Sequence, residues 1–413
     1  MIEAGFEFIH PGYVKFYKLL NFLGMELRSY DMKMEFIDYT KKDPVSDFEK
    51  TYFSPSIGDL SKNYQDIVKK YKKGGCCSCL QEVGEDSQKV KNLAFLQYAM
   101  YKYNKMQDSL GAMTTKEFVD SLNLDEEFGT KFYYPLTNAS WGIDDSNAEG
   151  TEPRNAEDFL AQYTFFYLAA GNTYQEVVGG LIKYITALYE RVKDICNIKF
   201  NSEVASVTKS SNGLYTLQYT DKISNQPFQD EGYDEVIICT SFEIASKIIS
   251  GVDSLKEIYD KISKVTYYTT KICLHESIDP DFDPDTIIHI KYTGNRASLH
   301  IKKPWNGNLT RSWVHKDEKN PGGTVQTIYY RHPNMTKRYY VGQAALKEHN
   351  KKATGISFGG ISAGNRDAHE GSMEENCNIA SYLSKKYDVE LPKLKILADD
   401  KKTCCTNCSC TIQ

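Results

Sequence analysis

Residues 233–249 read YDEVIICTSFEIASKII, and this run decides the fold class. Val236 to Cys239 is an almost wholly apolar stretch, the pattern of a strand buried on both faces of a parallel sheet. Thr240 and Ser241 follow as cap residues, and Phe242 to Ile249 reads as a helix. A strand passing through a short polar turn into a helix is the building unit of an α/β fold. The unit recurs at residues 355–383, GISFGGISAGNRDAHEGSMEENCNIASYL, as a short strand, a glycine loop and a helix. Just upstream, residues 198–221, IKFNSEVASVTKSSNGLYTLQYTD, switch to a period of two. Strands are expected at Ile198–Phe200 and Val204–Val207, then at Tyr215–Tyr219 after the Ser211-Asn212-Gly213 turn.

Working outward, Glu3 to Ile9 predicts a short strand, and Pro11 opens a helix. Val14, Tyr17, Leu20 and Leu23 fall on one face of that helix, and Gly24 takes its left-handed C-terminal position. Met25–Tyr30 and Met34–Tyr39 predict a small hairpin. Residues 56–135 are mostly helical in period, broken by the Gly-Gly-Cys-Cys loop at 74–77. A polar loop from Asp144 to Arg154 leads to a buried helix, and a further helix starts at Leu181 after Gly179-Gly180. Residues 265–345 are strand-rich. No repeat of solenoid or propeller period is present.

The 413 residues suffice for two or three domains. A 41% apolar and 25% charged composition is that of an ordinary globular chain. The net charge of −5 and isoelectric point near 6.0 supply no basic stripe for a phosphate backbone, which argues against nucleic acid as a partner. The start, Met1-Ile2-Glu3-Ala4-Gly5, has neither the basic nor the apolar region of a signal peptide, so a cytosolic chain is expected. The eight histidines form no H-x-x-x-H or H-E-x-x-H pair, and no metal is expected. No P-loop occurs, which leaves phosphoryl transfer without its usual group.

Taken in order, these segments resemble the FAD-dependent amine oxidase superfamily. The resemblance runs over roughly residues 1–390 and includes IEAGFEFIHPGYVKFYKLLNFLGMEL (2–27), FYYPLTNASW (132–141) and EVVGGLIKYI (176–185). It implies an α/β nucleotide domain of the FAD-dependent oxidoreductase type, interleaved with an α+β substrate domain. The nucleotide domain would take residues 1–30, 195–250 and 351–390; the substrate domain would take 31–194 and 251–350, leaving 391–413 as a tail. By the same resemblance Gly5 and Phe6 line the flavin ring, and the backbone of Val204 meets the adenine. Thr240 ends the strand under the cofactor, while Gly359, Gly360, His369, Glu370 and Gly371 lie on the loop and helix facing the flavin and pyrophosphate. A helix N-terminus suits an anionic group because its N–H groups are unpaired and its dipole end is positive. Where the family continues with a Ser-Gly pair, this chain has Glu375-Asn376.

Lys271, in YYTTKICLHES, falls where many amine oxidases hold a water against flavin N5; the alternative for a strand lysine is a solvated edge position. Trp141, Tyr163, Trp305 and Trp313 are candidate pocket walls. The family's G-x-G-x-x-G phosphate loop does not occur in the sequence. The expectation is therefore either an active enzyme whose loop lies upstream of Met1 or a degenerate relative that holds FAD weakly. As an enzyme it would pass hydride to flavin from an amine or an unsaturated, lipid-like substrate; as a degenerate relative it would be a binding module.

Cysteines cluster at Cys76, Cys77 and Cys79 and again at Cys404, Cys405, Cys408 and Cys410. Cys410-Thr411-Ile412-Gln413 has the form of a C-a-a-X box, and Cys404, Cys405 and Cys408 are candidate palmitoylation sites. Together they would attach the protein to the cytosolic face of a membrane. An inert tail, or zinc held through the Cys405-x-x-Cys408 spacing, are the alternatives.

Overall fold

The structure, a computed structural model, describes most of residues 8–39, 49–53, 95–103, 113–141 and 174–390. Its first half contains helix α1 (Val14–Phe22), strands β1 (Leu27–Tyr30), β2 (Met34–Asp38) and β3 (Glu49–Phe53), and helices α2 (Thr115–Ser121) and α3 (Tyr134–Trp141). Then come β4 (Tyr174–Val177), α4 (Ile182–Val192), β5 (Ser202–Lys209), β6 (Tyr215–Asp221), β7 (Pro227–Tyr233), β8 (Val236–Ile238), α5 (Phe242–Ile249) and α6 (Lys256–Ile262). The last third holds β9 (Tyr267–His275), β10 (Ile288–Thr293), β11 (Arg296–Ile301), β12 (Thr310–His315), β13 (Thr324–Pro333), α7 (Lys337–Asn350), β14 (Ile356–Phe358) and α8 (His369–Tyr387).

The largest sheet has seven strands in the order β13-β9-β12-β11-β10-β2-β3, antiparallel except where β2 lies beside β10. Register sets its two faces. Ile328, Ile272, Trp313, Leu299, Ile290 and Phe36 form one rung across six strands. The last five of these are buried with Leu136 and Ala139 of α3 in the main core. Burying each large apolar side chain contributes about 1.5–3 kcal/mol. The neighbouring rung, Thr327, Cys273, Ser312, His300, His289 and Glu35, points to the opposite face because successive side chains alternate. There Ser312 Oγ lies 2.6 Å from both His275 Nε2 and His300 Nδ1, and His289 Nδ1 lies 2.8 Å from Glu35 Oε2. Burial holds His300 well below the usual imidazole range.

A second core gathers α5, α6 and α7 around β8 and β14, together with Val207 and Tyr215 from the three-stranded β5-β6-β7 sheet. Thus α6 and α7, which the expected boundaries assign to the substrate domain, share a core with β8 and β14, which the same boundaries assign to the nucleotide domain. A third cluster joins α1 to α4, Val177 and Ala368.

Several elements differ from expectation. The Met25–Tyr39 segment is no hairpin: β1 pairs with β4 and β2 with β3 and β10, so adjacent strands enter different sheets. The Ile198–Phe200 run forms no strand, and Phe200 is exposed. β8 is not buried on both faces; among the described residues it pairs only with β14, and Ile237 is 47% exposed. Helix α5 has the expected bounds, but Ser241 makes no side-chain cap bond to it. Instead the Tyr267 hydroxyl accepts from the Glu243 backbone N–H at 3.3 Å. The end of the strand-rich region is the helix α7. Among the described residues no helix is long and apolar enough to cross a membrane.

Candidate functional site

Three glycines shape the turn between β14 and α8. A Cβ on Gly359 would stand 2.4 Å from Asn376 Oδ1 and 2.7 Å from Cys239 Sγ. One on Gly364 would stand 2.6 Å from the backbone of Gly371, and Gly360 sits at φ +74°. At Gly364 backbone thus approaches backbone as only glycine permits, and Gly360 takes a left-handed conformation that favours glycine. The Gly359 N–H donates to the Ile238 carbonyl at 2.9 Å, and Ser362 Oγ donates to the Thr240 carbonyl at 3.0 Å, fixing the loop beside β8.

This loop borders a cavity of about 560 Å³, within the span of small-molecule sites. Cys239, Thr240, Ser241, Gly360, Ile361, Ser362, Ala368, His369, Ser372 and Asn376 line it from the β8 end, the loop and the start of α8. Tyr267, Trp313, Tyr330, Arg331, His332 and Pro333 line it from the seven-stranded sheet, with Phe8, Tyr13 and Tyr339 beside them. Ala368 enters α8 without a side-chain cap, so the helix presents its N-terminal amides near the cavity. His332 and His369 are both lowered to about 4 by burial. His369 stacks on Phe16 at 4.6 Å.

The residues singled out by sequence separate into groups. Thr240, Gly360 and His369 meet at the cavity, and Gly359 and Gly371 build the loop and helix start behind it. Glu370 turns the other way: its carboxylate accepts from the backbone N–H groups of Lys15 and Phe16 at 2.9 and 2.8 Å, capping α1. Val204 lies on β5 opposite Tyr219, half-buried against the second core and away from the cavity lining.

Lys271 is not on a solvated edge. It is 4% exposed on β9, between β12 and β13, and donates to the Glu318 carbonyl. It registers with Val314 and Tyr329, whereas Trp313 of the cavity registers with Ile272. Lys271 therefore points to the face opposite Trp313. Of the proposed pocket walls, Trp313 lines the cavity and Trp305 does not. Gly5, Phe6, Tyr163, the Trp141 side chain, Cys404, Cys405, Cys408 and Cys410 lie outside the described residues.

The departure at Glu375-Asn376 has a structural account. Glu375 faces away from the cavity and accepts from Asn350 Nδ2 at 2.6 Å and Asn378 Nδ2 at 3.2 Å. Asn350 in turn brackets the Phe358 backbone with two 2.8 Å bonds. Asn376 lines the cavity and accepts from the Gly360 N–H at 3.3 Å. Sequence reasoning missed Arg331, His332, Tyr267 and Tyr339; the aromatic run Tyr329-Tyr330-Arg331-His332 was the available signal.

The sequence pattern of the family described as flavin containing amine oxidoreductase matches residues 1–283. No curated protein matches the chain in sequence. Among solved structures, putrescine oxidase bound to putrescine is 11% identical with a TM-score of 0.52, covering 94% of this chain and 88% of that one. A CLA-producing fatty acid isomerase from P. acnes is 12% identical with a TM-score of 0.52, covering 94% and 87%. Cyclohexylamine oxidase from Brevibacterium oxydans IH-35A is 10% identical with a TM-score of 0.50, covering 94% and 88%. At these identities the likeness establishes the fold alone, a two-domain α/β architecture.

Proposed function

The chain belongs to the flavin-containing amine oxidoreductase family, and on that footing we propose that it is an FAD-dependent oxidoreductase taking hydride from an amine or an unsaturated, lipid-like substrate. The observation that carries this reading is the single cavity shared by the glycine loop, the start of α8 and the aromatic wall of the seven-stranded sheet. The residues present fit a flavin. Gly360 lines the cavity without a side chain, and the uncapped start of α8 offers amide donors to an electron-rich ring edge. Thr240, Gly360, Ser372 and Asn376 would hold it. Bound there, the flavin supplies the hydride acceptor.

The chain's own residues do the rest. Phe8, Tyr13, Trp313 and Tyr339 exclude water from the reacting centre and orient a flat or extended substrate. His332 and His369, kept neutral by burial, hold nitrogen lone pairs or N–H donors within the cavity without adding charge. The test is anaerobic mixing of FAD-loaded protein with primary amines and with unsaturated lipids, following the visible flavin absorbance. Bleaching by one of these classes is expected. If dithionite bleaches the flavin and neither class does, the binding-module alternative stands in its place.

A further inference from the structure

The face of the seven-stranded sheet opposite Trp313 holds a buried polar cluster that the proposed chemistry does not use. At its centre Ser312 Oγ lies 2.6 Å from both His275 Nε2 and His300 Nδ1, and His300 Nε2 lies 2.9 Å from Ser298 Oγ. All four side chains are buried. Ser312 has one hydroxyl proton, so it donates to one imidazole and accepts from the other. A proton added to His300 keeps these bonds: its two N–H groups donate to Ser312 and Ser298, and Ser312 donates to His275. A second proton, on His275, breaks the arrangement. Two N–H groups then face one hydroxyl, whose own proton loses both acceptors, and two cations share a buried site.

Phe282, between β9 and β10, covers this cluster. Its ring stacks on His289 at 4.1 Å with an interplanar angle of 5° and lies 5.1 Å from His300. Two anchors hold it. The Asp283 N–H donates to Glu35 Oε2 at 3.0 Å, the oxygen that His289 Nδ1 also meets at 2.8 Å. Asp279, whose carbonyl accepts from the Phe282 N–H at 3.0 Å, pairs with Lys291 of β10. Around the two imidazoles stand the carboxylates of Glu35 on β2, Asp279 and Asp283 beside Phe282, and Glu318 in the turn after β12. The cations are Lys271 on β9 and Lys291 on β10; His289 and the Cys273 thiol complete the titratable groups.

We infer that Phe282, with Asp279 and Asp283, forms an acid-released cover: protonation of the His275–Ser312–His300 network lifts these residues from the sheet while the strands beneath stay paired. Proton counting gives the sign. The covered pair refuses protons that solvated imidazoles accept below about pH 6.5, so falling pH favours the uncovered state by about tenfold per pH unit for each proton taken up. At neutral pH the covered state prevails. His289 does not drive release, because its cation would face the Glu35 carboxylate. Burial raises the Glu318 carboxyl, so variants are needed to assign the response to the imidazoles.

Amide hydrogen exchange on the full chain provides the test, resolved to single residues by fragmentation and corrected for the intrinsic pH dependence of exchange. From pH 7 to pH 5 the Phe282 and Asp283 amides should lose about tenfold or more in protection. The Ile272, Ile290 and Leu299 amides, inside the sheet, should keep theirs. His300→Gln keeps hydrogen-bonding groups beside Ser312 but takes up no proton, and it should flatten the response. His275→Gln should do the same, whereas Glu318→Gln should leave the response unchanged. Protection of Phe282 and Asp283 that is independent of pH would overturn the inference. So would a loss shared equally by the strand amides, or one that persists undiminished in both histidine variants.

Discussion

Glu370 shows how far a residue's role depends on the direction its side chain takes. It lies between His369, which lines the cavity, and Gly371, which builds the helix start. Its own carboxylate instead closes the N-terminus of α1 through two backbone donors. Buried charged acceptors of this kind contribute about 1.5–3 kcal/mol per bond. Glu370→Ala should therefore lower the urea midpoint markedly, while Glu370→Gln, which keeps an acceptor oxygen, should recover part of the loss. Equal midpoints for the parent and Glu370→Ala would remove the capping role. The loop glycines can be ranked in the same way. A Cβ at Gly359 meets side-chain tips of Asn376 and Cys239, which can move; a Cβ at Gly364 meets the backbone of Gly371, which cannot without shifting α8. Gly364→Ala should be the more destabilising by denaturant titration, and Asn376→Ala should relieve Gly359→Ala but not Gly364→Ala. The importance of the Gly-Gly run was legible in the sequence; which atoms each glycine admits was not, because those atoms come from elements remote in the chain.

Secondary elements were most legible where local pattern and long-range packing agreed. Helix α5 has the bounds its apolar stripe implies, since Phe242, Ala245, Ile248 and Ile249 all enter one core. The supposed hairpin at Met25–Tyr39 failed because alternation along a strand says nothing about which partner fills its edge. β1 and β2 found partners in β4 and β10, far along the chain. The solvated-edge reading of Lys271 failed differently. Its strand was correct, but a sequence does not reveal that β9 lies inside a sheet, nor that Lys271 and Trp313 point to opposite faces. Lys271→Met should accordingly leave ligand affinity at the cavity unchanged and lower stability by about 1–3 kcal/mol through the abandoned Glu318 carbonyl. Loss of ligand affinity without loss of stability would return Lys271 to the cavity side.

At the scale of the whole molecule, buried histidines link folding to pH. His332 and His369 are held at about 4 in the folded chain, against 6.5 when exposed. Below pH 6.5 the unfolded chain binds protons that the folded one refuses. Stability should fall as pH drops from 6.5 toward 4, by about 1.4 kcal/mol per pH unit for each such histidine. His332→Gln should flatten the slope of denaturation midpoint against pH across that window; an unchanged slope would contradict the assignment. The family pattern and the α/β architecture were both visible in the order of short motifs, whereas the cavity that unites them needed the folded chain. The central claim is that this cavity receives a flavin beside the aromatic wall, and Trp313 reports on it directly. Titrating FAD while following tryptophan emission should give saturable quenching, reduced in Trp313→Phe and abolished when Ser372→Trp fills the cavity. Quenching that never saturates, or that persists undiminished in Ser372→Trp, would contradict the account.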